Sequence, residues 1–278
     1  MPVNITDVPT FTDPIVIPAD SDPADRTYIV TLAQGLSNRT RYLADSLDGV
    51  IVSRGDLYLL SPNEIGWDST DLFVSGRLVH LASGNADIGT PTASTWYYFY
   101  VYSGIAGVAG IESSTTAPSA ATGYRTKTGD TTRVYLGCAW ADASQRLQAF
   151  CSRGGRYVYR RSERAASEAD YALTITSGGT WTDLDLSRSV PPHVRHVELA
   201  MQLITTDASI LEINLRTKGD TAGFVRVVCG RAPTGATAYQ EWSRSFVVDS
   251  AQKIQFQTPA IGAATDKIAT LYVIGFDE

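Results

Sequence analysis

Residues 94–104 read STWYYFYVYSG, with six aromatic rings in the seven positions from Trp96 to Tyr102 and small polar residues or glycine on either side. Such a run, short of helix formers, reads as a β-strand. In an extended chain Trp96, Tyr98, Tyr100 and Tyr102 share one face, and Tyr97, Phe99 and Val101 share the other. Phe99 and Val101 mark the drier side, directed with Tyr97 into a core. The four-ring face has three readings: a second core layer, a subunit interface, or a platform for a sugar. Tyrosine and tryptophan suit the last two, because each buries a broad apolar area and keeps a polar group that needs a partner. Tyr157 and Tyr159, on one face of RYVYR, are candidate cross-strand companions.

Working outward from this strand, the two-residue period continues in both directions. GVIVSRGDLYLLS, DLFVSGRLVHLASG, TRVYLGCAWA and GRYVYRR read as strands separated by Gly, Asn, Asp, Pro and Ser clusters. They predict an aromatic-rich antiparallel β domain over residues 50–162. Within it, residues 111–132 are small and polar and read as a long surface loop. After the charged spacer RRSERAASEADY the pattern resumes to the end of the chain. In ILEINLR, Leu211, Ile213 and Leu215 face one way and Glu212, Asn214 and Arg216 the other. About eight short strands with turn signals between them predict a β-sandwich or jelly-roll-like domain over residues 163–278. The expected fold class is therefore mainly β: an N-terminal arm and short helix followed by two antiparallel β domains. No βαβ rhythm is present, which disfavours doubly wound nucleotide-binding folds.

The first 49 residues read differently. Prolines at 2, 9, 14 and 18 forbid a helix there and favour an extended arm, with Pro9, Phe11, Pro14, Ile15, Ile17 and Pro18 as candidate anchoring residues. A helix can start at Asp22 in DPAD or at Thr31 in TLAQ. The β-branched residues Thr27, Ile29, Val30 and Thr31 favour the second start and a helix over 32–47. Its stripe, Leu32, Leu36, Thr40, Leu43 and Leu47, can pack on the chain's own sheet or form a short parallel bundle with other copies. Gly35 weakens the helix by about 1 kcal/mol relative to alanine, so it needs tertiary or intersubunit support.

Composition narrows the function classes. The formal charge of -6 disfavours bulk electrostatic binding to nucleic acid or anionic lipid. No basic-then-apolar leader and no apolar stretch of roughly 18 residues is present, so neither a secretory signal nor a membrane-inserted helix is expected. Cys138, Cys151 and Cys229 form no CxxC pair and read as buried free thiols. His193 and His196 in HVRH lead into an alternating strand, where positions three apart face opposite sides, so no metal site is expected. No nucleophile-elbow, zincin, phosphate-loop or EF-hand motif occurs, and no cofactor is expected. Asp183 and Asp185 in TDLDLS, with Glu198, are the acidic residues on which a glycan-cleaving reading would rest; the plainer reading is the polar face of a strand whose inward residues are Trp181, Leu184 and Leu186, with a turn between them.

At residues 31–47, TLAQGLSNRTRYLADSL resembles a short helix near the amino terminus of tail-fibre-like and other appendage proteins of tailed bacteriophages. Asn38, Arg39, Thr40, Tyr42 and Leu43 carry the likeness, after a Pro- and Asp-rich opening, FTDPIVIPADSDP. TWYYFYVY, the polar loop with TTAPS, TRVYLGCAWAD, and PPHVRHVELAMQLI through LYVIGFDE are similar to later portions of such proteins. The resemblance implies a non-enzymatic structural virion protein, a short fibre, spike, or baseplate or head appendage. It implies a homotrimer held to other virion proteins through the N-terminal arm, with β domains displayed outward. Host-surface polysaccharide or receptor binding is the alternative function, and glycan degradation a further one. The chain lacks a long repetitive shaft and the parallel β-helix repeat of glycan-cleaving tailspikes.

Overall fold

The computed structural model describes residues 51–53, 55–74, 77–104, 108–119, 125–153, 156–159, 170–173, 179–205, 210–229, 238–259 and 267–277. The expected arm and helix of residues 1–49, with the anchoring and stripe residues assigned to them, lie outside these. Among the described residues there is no helix, and every element is a strand. The first six are β1 (Ile51–Ser53), β2 (Leu57–Ser61), β3 (Glu64–Trp67), β4 (Thr70–Val74), β5 (Arg77–Leu81) and β6 (Gly84–Asp87). The aromatic strand is β7 (Thr95–Ser103), followed by β8 (Ala109–Ser114), β9 (Thr126–Lys127), β10 (Asp130–Ala141), β11 (Phe150–Arg153) and β12 (Arg156–Tyr159). Beyond the spacer come β13 (Asp170–Ala172), β14 (Thr182–Asp185), β15 (His196–Thr205) and β16 (Leu211–Thr217). The last four are β17 (Val225–Cys229), β18 (Ala238–Val247), β19 (Lys253–Gln257) and β20 (Lys267–Asp277).

These strands form four separate antiparallel sheets, none of which closes on itself. Their orders are β1-β4-β5, β8-β7-β10-β9, β14-β19-β16-β17, and a nine-stranded β18-β15-β20-β12-β11-β2-β3-β6 in which β13 also pairs with β20. The expectation of two antiparallel β domains, the second a sandwich or jelly-roll-like module, is thereby corrected. The nine-stranded sheet takes strands from both segments, and β20 is the junction: β15 occupies one of its edges, while β12 and β13 share the other. Alternation in sequence reports which side chains face a core, but not which distant strand supplies the hydrogen bonds. The polar segment 111–132 is also corrected, since part of it is strand: β8 pairs with β7, and β9 with β10.

Side-chain periodicity explains why these segments are strands. In β15, Val197, Leu199, Met201, Leu203 and Thr205 are buried while the intervening residues are exposed or half-buried. Burying an aliphatic side chain of this kind contributes about 1.5–3 kcal/mol. β20 follows the same alternation until Gly275, where a Cβ would overlap the carbonyl oxygen of Tyr157 on β12. A glycine at that point lets β12 approach β20 and join the two halves of the sheet.

Candidate functional site

The aromatic strand lies inside the protein. β7 is flanked by β8 and β10, and Tyr98, Phe99, Tyr100 and Val101 are all buried, so the middle of the strand is covered on both faces. Trp96 is buried against Trp140 at 5.4 Å and Phe276 at 6.4 Å between ring centroids, and its indole N–H donates to the Ser187 carbonyl at 2.8 Å. Tyr98 and Tyr100 pack on Tyr135, which meets the His193 ring edge-on at 5.2 Å. The Tyr100 hydroxyl donates to the Thr116 carbonyl at 2.6 Å, and burial pushes its phenol well above the ordinary range, so it stays a neutral donor. Tyr102 is half-buried, with the Arg133 guanidinium 4.5 Å from its ring centroid. Tyr97 is half-buried, its hydroxyl accepting from the Thr92 N–H at 2.8 Å.

Tyr157 and Tyr159 are buried too. Tyr157 stacks between Phe150 at 5.3 Å and Phe276 at 4.7 Å, and its hydroxyl accepts from the Cys138 N–H at 2.5 Å. The Tyr159 hydroxyl donates to the Ser189 carbonyl at 2.8 Å, and Tyr171 bonds the Ser189 hydroxyl at 3.2 Å. Together with Trp96, these rings clamp the turn leading into β15.

The structure brings a different set of rings and polar groups to the surface. The sheet β14-β19-β16-β17 turns Leu211, Ile213, Leu215, Val227, Ile254 and Phe256 inward. Its opposite side carries two adjacent cross-strand rows. One runs Asp183, Gln255, Arg216, and the other Gln257, Asn214, Arg226. Extending the register one residue beyond β17 puts Phe224 at the end of the first row. The same extension before β14 puts Trp181 at the start of the second. From these diagonal corners the two rings meet edge-on at 6.1 Å, and the Arg216 guanidinium lies 4.0 Å from the Trp181 ring. Phe224 is 58% exposed.

A hydrogen-bonded chain crosses the first row. Arg216 Nε donates to Gln255 Oε1 at 2.8 Å, Gln255 Nε2 donates to Asp183 Oδ1 at 2.9 Å, and Lys218 pairs with Asp183 Oδ2. The Lys218 ammonium, followed by Gln255, holds the Asp183 carboxyl below the ordinary carboxylate range. In the second row Asn214 Nδ2 donates to Gln257 Oε1 at 3.4 Å, while Asn214 Oδ1, on a side chain 5% exposed, has no partner. Such a buried acceptor is uncommon and calls for a donor.

Asp183 and Asp185 both project outward from β14, on one side of any ligand. A glycan-cleaving pair must flank the bond it breaks, and Asp183 held ionised is a poor proton donor. Glu198 is ion-paired with Arg156 beside a depression of about 190 Å³ that also includes Ser245, Phe276 and Asp277, smaller than ordinary ligand pockets of roughly 300–1,000 Å³. His193 Nε2 lies 3.2 Å from the Tyr135 hydroxyl, whereas His196 is exposed at the start of β15. Cys138 and Cys229 are buried and Cys151 half-buried, all three as free thiols.

No family model and no curated protein matches this chain. Among solved structures it is similar to a Cry1Da tryptic core variant of Bacillus thuringiensis, at 8% identity and a TM-score of 0.25, covering 85% of this chain and 54% of that one. It is also similar to a chain of infectious bursal disease virus, Gt strain, at 9% identity and a TM-score of 0.17, covering 80% of this chain and 65% of that one. The chain thus spans less than two thirds of either. Likenesses this distant carry no argument about fold or function.

Proposed function

We propose that the chain is a structural component of a tailed-phage virion, a short fibre, spike, or baseplate or head appendage. It is held by residues 1–49 and presents its antiparallel sheets outward as a homotrimer. The resemblance of residues 31–47 and of the aromatic and C-terminal stretches to appendage proteins supports this reading. The structural observation that carries it is the nine-stranded sheet. Because β20 bonds strands from both halves of the chain, load applied at one end passes through backbone hydrogen bonds to the other. Engagement of Asp183 by Lys218 and of Glu198 by Arg156 supports a scaffold role over hydrolysis.

The test has two arms. Sedimentation equilibrium of the full chain, 30.0 kDa per copy, is expected to give a species of about 90 kDa. Antibodies to the chain are expected to label intact particles at one appendage in electron micrographs. A monomer together with unlabelled particles overturns the proposal.

A further inference from the structure

We infer that the outward face of β14-β19-β16-β17 binds a neutral pyranose, with the Trp181–Phe224 pair as the stacking surface and Asp183 and Lys218 as the groups that read adjacent hydroxyls. The inference goes beyond the virion reading and does not depend on it.

The rings come first. Phe224 leaves 58% of its surface to solvent at the end of a polar row, and Trp181 is braced from one side by Arg216 at 4.0 Å. The Trp181 indole N–H has no hydrogen-bond partner among the described residues, in contrast to the Trp67 and Trp96 indoles, which donate to the Ala82 and Ser187 carbonyls. The braced Trp181 ring with its free N–H, flanked edge-on by Phe224, forms an angled apolar surface with a polar edge, a counterpart of the C–H face of a pyranose and its hydroxyl rim.

The polar groups supply the orientation. Asp183 and Trp181 are two residues apart on the same outward edge, about 7 Å along an extended chain, close to the width of a sugar ring. The carboxylate accepts from Gln255 and Lys218 and has further lone pairs. The ammonium has three donors, one of which Asp183 uses. An acceptor next to a donor matches two neighbouring hydroxyls, each of which can give and take a hydrogen bond. The chain from Arg216 through Gln255 to Asp183 holds these groups in place before a ligand arrives, which lowers the ordering cost.

The orphaned Asn214 Oδ1 is the independent observation. It belongs to the row adjoining Asp183, Gln255 and Arg216 and is closed off from solvent, so a ligand hydroxyl or a water carried with it supplies the missing donor once a neighbouring side chain of the face moves aside. Charge also selects the class. Asp183 and Glu212 pair with Lys218 and Arg226, and the remaining cation, Arg216, is committed to Gln255 and the Trp181 ring, so a phosphate or acidic sugar meets carboxylates as well as cations.

Saturation-transfer NMR on the full-length chain tests this with the methyl glycosides of glucose, galactose, mannose and N-acetylglucosamine. At least one is expected to show transfer concentrated on its C–H protons. Its affinity should fall roughly tenfold in Phe224→Ala, the loss of one aromatic stacking contact. It should also fall in Asp183→Asn, and hold in Leu78→Ala, which removes an equally exposed side chain on β5. Phe224→Ala should melt with the parent, so a failure to fold is separable from a failure to bind. Absence of transfer from all four glycosides overturns the inference, as does equal loss in Leu78→Ala or unchanged binding in both site variants. None of these results alters the solution mass or particle labelling that test the virion proposal.

Discussion

The contact between Gly137 and Tyr157 yields a prediction that can be worked from the coordinates. β10 shifts register against β7 between Tyr135 and Gly137, and at that irregularity the Cys138 N–H donates to the Tyr157 hydroxyl at 2.5 Å. A Cβ on Gly137 would overlap this hydroxyl and approach Leu57 Cδ2 to 2.7 Å. The hydroxyl cannot swing aside, because the ring is stacked between Phe150 and Phe276 at interplanar angles of 22° and 12°. Gly137→Ala should therefore destabilise by about 1–3 kcal/mol through overpacking. Tyr157→Phe, which takes this acceptor from a buried N–H, should cost about 1–3 kcal/mol. Combined, they should cost less than the sum, because phenylalanine removes the overlapped atom and leaves a ring carbon 3.1 Å away. We expect a coupling of roughly 1 kcal/mol, measured by urea unfolding followed through tryptophan fluorescence. Additivity of the two substitutions to within about 0.5 kcal/mol would refute the steric reasoning.

The remaining predictions concern the junction strand, the turns and pH. Gly275→Ala directs a methyl at the Tyr157 backbone oxygen, and it should cost more than Gly137→Ala, with protease cleavage rising near β12 if the sheet parts there. Gln145 and Gln252 hold positive φ values of 60° and 56°, a conformation that costs non-glycine residues about 1–2 kcal/mol. Gln145→Gly should raise the melting temperature. Gln252→Gly should gain less, because the Gln252 amide donates to the Pro192 carbonyl at 3.1 Å; equal gains would show that this bond contributes nothing. Lys127 and Arg133 hold the Glu112 carboxyl below its ordinary 4.5, so its contribution to stability is complete above that pH and is lost as pH falls through the depressed value. Glu112→Gln should flatten the acid limb of a stability–pH curve, and an unchanged limb would count against the assignment.

Much of the local structure was legible in the sequence. The alternation of ILEINLR is the alternation of β16, and the ring-rich run is a strand, as its composition implies. Pairing was not legible, because the partners of β20 are set by long-range packing and by the absence of a Cβ at Gly275. Another signal was present but requires comparing the chain with itself. DASQRL at 142–147 and DSAQKI at 249–254 build the same turn, in which the leading aspartate accepts from N–H groups two and four residues on and the glutamine takes positive φ. The outward ring pair was half legible. In GFVRVV, strict alternation puts Phe224 on the side of Arg226, but Trp181, expected inward with Leu184 and Leu186, lies instead on the side of Asp183 because no turn interrupts the strand between them; no local pattern shows that the two rings meet.

What separates an internal ring from an available one is the fate of its polar atom rather than its abundance in a strand. Trp96, Tyr100, Tyr157 and Tyr159 each engage a backbone group within the chain, as burial demands, since an unpaired hydroxyl or indole N–H in the core costs free energy. Six rings in one strand therefore indicate a core dense enough to need several such partners, and the turn at Ser187 and Ser189 supplies two of them, to Trp96 and Tyr159. Trp181 and Phe224 follow the other rule: they stand at the edges of a sheet whose inward face is already filled by Leu215 and Phe256, and their rings serve no core. Arg216 steadies the Trp181 ring and leaves Phe224 open to solvent, so the pair is available to a ligand, and for this reason the Phe224→Ala titration, more than any change to the aromatic strand, bears on what the protein recognises.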